Sequence, residues 1–236
     1  MLFSSIINKL EYKILAGDPE SCEVLSICRD SRMIADRGLF VCVKGAVNDG
    51  HRYAQMAYEN GCRLVTHLYS CTSTITRHGG FRRLGVIEST YLLDGMYAEA
   101  IADGCHLPAD LLKLIIKLKG ADRVCLITDA IRFGGVNATA PLLGGTQSMP
   151  YIIEDGVAKL ADRSAFAGSI ATTEDLLQRS VKAGIALADV VKMMTQTPAE
   201  AIGLSSKGRI VPGYDAQFTV FDSDLNIRNE FSNCCL

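Results

Sequence analysis

Three short apolar runs in this chain end in residues that could carry out catalysis. His67 follows "RLVT", Asp103 and His106 follow "YAEAIA", and Asp129 follows "RVCLIT". A neutral imidazole is a common ligand of Zn²⁺ and related ions. A carboxylate within hydrogen-bond reach of a water molecule can take its proton and later deliver it to a leaving group. These residue types suit metal-assisted hydrolysis, provided that the fold brings them together.

The elements around these residues alternate between strand and helix. The three runs and "SAFAGS" read as short strands, each ending in small or polar residues. Helices are predicted over 109–120, with Pro108 near the start and Gly120 as the stop, and over 172–184. One or two more are predicted over 187–204. This alternation predicts a parallel β/α architecture, in which catalytic side chains collect at the C-terminal ends of strands.

The two ends of the chain have different patterns. Residues 1–65 read as a small α/β unit, with a buried strand over 39–45, a turn at 48–50 and an amphipathic helix over 51–62. Residues 208–222 alternate apolar and polar positions around a Pro-Gly turn, which predicts a small antiparallel sheet.

Composition favours a globular, cytoplasmic protein. The chain has 236 residues, of which 48% are hydrophobic and 21% charged, with a formal net charge of −2. This balance predicts no general attraction to nucleic acid or to an anionic membrane. No apolar run approaches the ~20 residues that span a bilayer, and the N-terminus lacks the basic region of a signal peptide. The nine cysteines form no CxxC pair, so we expect reduced thiols, several of them in the core.

Residues 1–65 resemble the N-terminal domain of Mur ligases, especially those that add the third amino acid to UDP-N-acetylmuramoyl-alanyl-glutamate. The matching stretch is "RDSRMIADRGLFVCVKGAVNDGHRYAQMAYENGCRLV". The resemblance implies that Asp30, Ser31 and Arg32 help to hold a uridine nucleotide, with the turn at 48–51 nearby. No GxxxxGK[ST] phosphate loop is present, so a ligase activity is not expected.

Residues 66–230 resemble the C-terminal part of N-acetylglucosamine-6-phosphate deacetylase, a metal-dependent amidohydrolase. The matching stretches are "THLYS", "AIADGCH", "LKGADRVCLITDA", "EDGVAKL", "AFAGSIAT", "TQTPAEAIGL" and "GRIVPGYDAQFTVFD". The resemblance implies a (β/α) TIM barrel and a divalent metal, with Zn²⁺ expected. It implies that His67 is a metal ligand, that His106 contacts substrate and that Asp129 is the general base and acid.

The substrate-binding motif departs from the family pattern. That pattern has Asn and Ala where this chain has Ser70 and Cys71. An arginine for the substrate phosphate is expected near position 78, where Arg77 stands one residue earlier. Ser70, Cys71 and Arg77 are therefore candidate substrate contacts.

The metal-ligand set implied by the resemblance is incomplete. Catalytic zinc keeps about three protein ligands, and the family takes a glutamate and another histidine from upstream of the position of His67. Here the Mur-like segment stands upstream, and its only histidine, His51, belongs to the ligase-like "DGH". A complete barrel also needs ~250 residues, against about 170 after residue 65. We therefore expect a partial barrel, a truncated and catalytically impaired deacetylase, and self-association through unpaired strand edges.

Plainer explanations exist for each candidate residue. His67 could be a structural histidine, His106 a loop residue near a helix start, and Asp129 a helix-capping or turn aspartate. Ser31 could cap a turn.

Three functions remain open for the chain as a whole. The first is an impaired deacetylase that converts N-acetylglucosamine 6-phosphate to glucosamine 6-phosphate and acetate. The second is a non-catalytic module for UDP-muramoyl or UDP-amino-sugar ligands, and the third is a fusion without selected function. The expected division is a Mur-like unit over 1–65, a partial barrel over 66–206 and a small β segment over 207–236. Both resemblances point to a bacterial source.

Overall fold

The computed structural model describes residues 26–28, 38–40, 58–59, 61–136, 142–146 and 149–232. The chain divides into two compact units. The first contains residues 1–64 and 72–96, and the second contains residues 65–71 and 97–236. The division at 1–65, 66–206 and 207–236 stays a prediction, as do the elements expected within residues 1–57 beyond the two strands given next.

The first unit combines a parallel strand pair, a hairpin and a helix. Strands β1 (Ser26–Cys28) and β2 (Gly38–Phe40) are parallel, and β2 coincides with the beginning of the strand predicted over 39–45. Residues 58–59 are helical, inside the helix predicted over 51–62. The other described elements of this unit include β4 (Thr76–His78), β5 (Phe81–Arg83) and α1 (Val86–Leu92).

The second unit is built on a wall of neighbouring strands. Strand β3 (Leu64–Val65), in which the two units divide, neighbours β6 (Tyr97–Ile101), and β6 runs parallel to β7 (Val124–Ile127). Ala98, Ala100 and Val124 are fully buried in this wall. Strand β11 (Phe166–Ser169) is joined to the segment that follows β7 by an isolated parallel bridge between Ala130 and Ser169. These are the four strands that the sequence predicted, in the side-by-side order of a barrel wall.

An antiparallel sheet is inserted between β7 and β11. It contains β8 (Leu142–Thr146), β9 (Met149–Glu154) and β10 (Val157–Leu160), and its order is β11-β10-β9-β8. Asp155 and Gly156 join β9 to β10, both with positive φ (54° and 77°), as a tight hairpin turn requires. Tyr151, Ile153, Ala158 and Ile170 form its buried cluster.

The helices of the second unit begin and end near the predicted residues. Helix α2 (Ala109–Lys119) has Pro108 at its N-cap and Gly120 at its C-cap. Helix α3 (Thr173–Lys182) is capped by Thr172, whose hydroxyl accepts from the amide of Asp175. The segment predicted to give one or two helices forms two, α4 (Leu187–Met194) and α5 (Gln196–Ala201). No helix within the described ranges is long and apolar enough to cross a membrane.

The C-terminal sheet is antiparallel but lies later in the chain than predicted. Strands β12 (Gln217–Phe221) and β13 (Ile227–Ser232) pair around residues 222–226, whereas residues 208–213, around the Pro-Gly turn, form no strand. The carboxylate of Asp222 is the physical reason, because it organises the turn locally. Its Oδ1 accepts from the amides of Asp224 and Asn226, both at 2.9 Å.

The turn of this hairpin should loosen when Asp222 is replaced by asparagine. The backbone and side-chain hydrogen bonds from Asn226 are the largest causes that lower the pKa of Asp222 to about 2, from 3.8. A lowered pKa means that the ionised carboxylate stabilises the folded state above pH 3.8, and this contribution is lost as the pH falls through about 2. We expect faster amide hydrogen exchange in β12 and β13 of Asp222→Asn at neutral pH, and a difference from wild type that narrows toward pH 2.

Asp224→Asn is the matched control, because that side chain is exposed in the same turn. Equal acceleration in both variants would show that the carboxylate of Asp222 does not hold the turn.

Candidate functional site

The ends of the wall strands lie along one edge of the second unit. Ile101 of β6 pairs with Ile127 of the parallel strand β7. Asp103 and Asp129 each lie two residues beyond that pair, so they emerge at the same edge. This is the edge at which a β/α barrel carries its site.

His67 lies in a tight turn directly after β3. Thr66 Oγ1 donates to Glu99 Oε2 at 2.6 Å, and the amide of Leu68 donates to the carbonyl of Glu99 at 2.8 Å, which ties the turn to β6. His67 and Tyr69 have φ values of 31° and 75°, in the left-handed region that side chains other than glycine adopt at a cost. Within the described ranges, His67 Nδ1 is buried and has no hydrogen-bond partner.

The predicted substrate contacts Ser70 and Cys71 close this turn. The amide of Ser70 donates to the carbonyl of His67 at 2.8 Å. Cys71 is exposed and also has a positive φ, 56°. Both are thus placed beside His67, and their role in binding substrate stays a prediction.

Asp103 and His106 form a hydrogen-bonded pair at the end of β6. Asp103 Oδ2 lies 2.7 Å from His106 Nδ1, and Oδ1 accepts from the amides of Cys105 and His106 at 2.9 and 2.8 Å. The Asp103 side chain is fully buried. Burial raises its pKa, but the hydrogen bonds from His106 and Cys105 lower it by more, so the net pKa lies below the usual value of 3.8.

Two side chains from later elements pack around this pair. Arg179 of α3 donates to the backbone carbonyl of Asp103. The ring of Phe166, at the start of β11, lies 4.9 Å from the ring of His106, centroid to centroid, with a tilt of 59°. His106 is 8% exposed as a result, so it is held rather than free in a loop.

Asp129 is exposed, and it lies on the turn after β7 that is hydrogen-bonded to the C-terminal end of β11. Its φ is 48°, and its carbonyl accepts from the amide of Ser169 at 3.2 Å. Gly168 passes directly behind the turn, where a Cβ would lie 2.5 Å from Cγ2 of Ile131. The backbone of Asp129 is thereby fixed while its carboxylate stays open to solvent.

The remaining predicted residues lie elsewhere. Arg77 is exposed on β4 in the first unit, opposite Arg82 of β5. Asp30, Ser31 and Arg32 lie outside the described residues, as does His51. The structure therefore brings His106 and Asp129 to one edge of the second unit, and the roles proposed for all of these residues stay predictions.

The described residues do not by themselves fit a metal centre. No group of three or more His, Cys, Asp or Glu side chains within the described ranges is arranged to hold an ion. Within these ranges Nδ1 of His67 has no hydrogen-bond partner, so one imidazole nitrogen has no competing hydrogen bond. One ligand is fewer than the roughly three that a catalytic zinc site uses.

Sequence reasoning placed Asp103 at a strand end but gave it no role, and it did not identify Arg179 as part of the site. The sequence did contain a signal for the role of Asp103. An aspartate three residues before a histidine, just ahead of a helix that starts at Pro108, can hydrogen-bond that histidine locally. No local signal pointed to Arg179, because its contact with Asp103 joins residues 76 positions apart.

Comparisons with known proteins agree with the geometry. A family model described as "Amidohydrolase family" matches residues 23–234. N-acetylglucosamine-6-phosphate deacetylase of Lysinibacillus sphaericus is 33% identical over 172 residues, which is 72% of this chain and 42% of that protein. The crystal structure of the Pasteurella multocida deacetylase superposes with a TM-score of 0.69 at 28% identity, over 78% of this chain and 46% of the other.

A shorter part of the chain is similar to a different family. A UDP-N-acetylmuramoyl-L-alanyl-D-glutamate–2,6-diaminopimelate ligase of Clostridium botulinum is 35% identical over 65 residues, which is 28% of this chain and 13% of the ligase. The chain spans less than half the length of the deacetylases named above. Both resemblances found in the sequence are confirmed.

Proposed function

This chain belongs to the amidohydrolase family, and from that premise we propose that its second unit carries part of an amino-sugar deacetylase site. The substrate class is N-acetylglucosamine 6-phosphate, by similarity to relatives of that activity. The observation that carries the proposal is that the Asp103–His106 pair and Asp129 follow the paired ends of the parallel strands β6 and β7.

Asp129 is the proton-transfer residue of this proposal. Its exposed carboxylate takes a proton from the attacking water, whose oxygen bonds to the acetamide carbon. The same carboxyl group then gives the proton to the nitrogen as the C–N bond breaks, which yields acetate and glucosamine 6-phosphate. His106 holds the sugar at the same edge.

The rate of this reaction in the isolated chain should be low. Amide carbons are poor electrophiles, and family members activate them with a bound metal. The resemblance assigns one described residue, His67, to such a site, and no group of three or more described His, Cys, Asp or Glu side chains could hold an ion. We therefore propose that this chain binds the sugar phosphate and hydrolyses it slowly, and that full activity needs ligands beyond the described ones.

Calorimetry and an acetate assay on the full chain test the two parts separately. We expect N-acetylglucosamine 6-phosphate to bind, and His106→Ala to weaken binding about 10-fold, the effect of losing one buried hydrogen bond of ~1.4 kcal/mol. Acetate release should be at least ~10³-fold slower than the ~10 s⁻¹ typical of enzymes. His78→Ala is the matched control, because His78 is exposed on β4.

Two results would contradict these expectations. Turnover near ~10 s⁻¹ that disappears in Asp129→Asn would overturn the proposed impairment and support the assigned base. Absence of any binding, in wild type and in both histidine variants, would overturn the deacetylase-like site itself.

A second candidate function rests on the ligase similarity. Sequence identity of 35% to a UDP-N-acetylmuramoyl ligase over 65 residues favours a uridine-nucleotide binding role for the first unit. The same calorimeter, loaded with UDP-N-acetylglucosamine, tests it. Binding that weakens in Ser31→Ala supports this module, whereas no heat from the UDP-sugar contradicts it.

A further inference from the structure

The carboxylate of Asp103 is engaged by hydrogen-bond donors on both oxygens. Oδ1 accepts the amides of Cys105 and His106, and Oδ2 faces His106 Nδ1 at 2.7 Å. An ionised carboxylate has only acceptor sites. The ring nitrogen that faces it must therefore carry the hydrogen.

We propose that Asp103 is a positioning residue that holds His106 with a hydrogen on Nδ1, so that Nε2 is the ring atom presented to the ligand. The inference deepens the proposed function, on which it rests for the identity of that ligand. The lowered pKa of Asp103 agrees with it, because an ionised partner at neutral pH is what the arrangement requires.

The ring is also fixed in orientation. The ring of Phe166 packs against it, with the two ring centroids 4.9 Å apart. The backbone carbonyl of Asp103 accepts a hydrogen bond from Arg179 of α3. Within the described part of the chain, His106 makes ring hydrogen bonds through Nδ1 alone. Nε2 is thus the atom left for a ligand, on a ring whose orientation is fixed by Phe166 and by the bond to Asp103.

This arrangement selects the chemistry of the contact. A neutral ring with the hydrogen on Nδ1 accepts at Nε2 and cannot donate there. In its neutral form His106 therefore accepts from a hydroxyl or an amide N–H, groups that an N-acetylated sugar offers, and does not donate to the carbonyl oxygen of the sugar. In that form the contact contributes to specificity rather than to stabilisation of a negatively charged oxygen.

Nitrogen-15 NMR of the histidine-labelled full chain tests the inference in Asp103→Asn. The asparagine oxygen should stay with the two backbone amides, because its NH₂ group would oppose them. The NH₂ then faces Nδ1 and donates to it, which moves the ring hydrogen to Nε2. We expect His106 to change from the Nδ1–H to the Nε2–H tautomer at a pH where all histidines are neutral, and sugar-phosphate affinity to fall about 10-fold or more.

Controls make the result specific. The chain has four histidines, and His106→Gln identifies the resonance by its disappearance. Asp110→Asn is the matched control. Asp110 is largely exposed on α2, where it pairs with Lys113, so this change should leave the tautomer of His106 unchanged. Thermal unfolding of each variant checks that the fold is retained.

The outcomes separate the inference from the proposed function. An Nε2–H tautomer in wild type, which needs no variant to detect, overturns the inference, as does an unchanged tautomer in a folded Asp103→Asn. An inverted tautomer without sugar binding in either protein supports the positioning role and rejects the proposed function. An inverted tautomer with weakened binding supports both.

Discussion

Replacing Gly168 with alanine is expected to destabilise the second unit by about 2–4 kcal/mol. Two costs combine at this position. Gly168 has a φ of 138°, which side chains rarely adopt, and a Cβ would lie 2.5 Å from Cγ2 of Ile131. Ile131 is branched at Cβ and packs against the buried cluster of the inserted sheet, so it has few rotamers with which to move aside.

Gly156→Ala is the matched control for this variant. Gly156 also has a positive φ, 77°, but a Cβ there meets nothing within 4 Å. We expect it to cost about 1 kcal/mol, the backbone part alone. Urea denaturation of both variants measures the difference.

A double variant isolates the steric part. Adding Ile131→Ala to Gly168→Ala removes the colliding methyl group, so the two changes together should cost less than their sum. Equal costs for Gly168→Ala and Gly156→Ala, or strict additivity with Ile131→Ala, would contradict the close approach seen behind Asp129.

Truncation of Met193 should have an effect of similar size through a different mechanism. Met193 is fully buried on α4, and that helix packs against β7 and α3. Met193→Ala leaves a cavity and is expected to lower the free energy of unfolding by about 2–5 kcal/mol. Hydrogen exchange in β7, measured by mass spectrometry, should rise accordingly.

Leu187→Ala on the same helix serves for comparison. Leu187 is 39% exposed, so its removal should cost less than about 1 kcal/mol. If the two variants exchanged equally fast, the packing of α4 against the wall would not be what protects β7.

The parts of the fold that were predictable are those fixed by local signals. Pro108 and Gly120 bracket α2 because one lacks an amide hydrogen and the other accepts a backbone conformation that side chains avoid. The strands β6 and β7 followed from their apolar runs. The prediction that Pro212-Gly213 forms the hairpin turn, however, was wrong. The carboxylate of Asp222 organises the turn of the hairpin ten residues later.

The site was less predictable than the fold. Candidate positions at strand ends could be named, because parallel strands bring those ends together. The backbone conformation of His67, Tyr69 and Cys71 could not be predicted. Three residues with positive φ within five positions contradict the conformational preferences of these residue types. Arg179 likewise reaches Asp103 only through the tertiary packing of α3.

Strand β11 lies in the inserted sheet and is also bridged to the end of the wall, and this has an evolutionary consequence. The inserted strands β8 to β10 leave the wall after β7 and return through β11, so they can lengthen, shorten or change sequence without altering the order of the wall strands. We therefore expect homologous chains to differ most in the length and composition of this insertion. The neighbours Ala130 and Ser169 should vary least, because the bridge between them returns the chain to the wall.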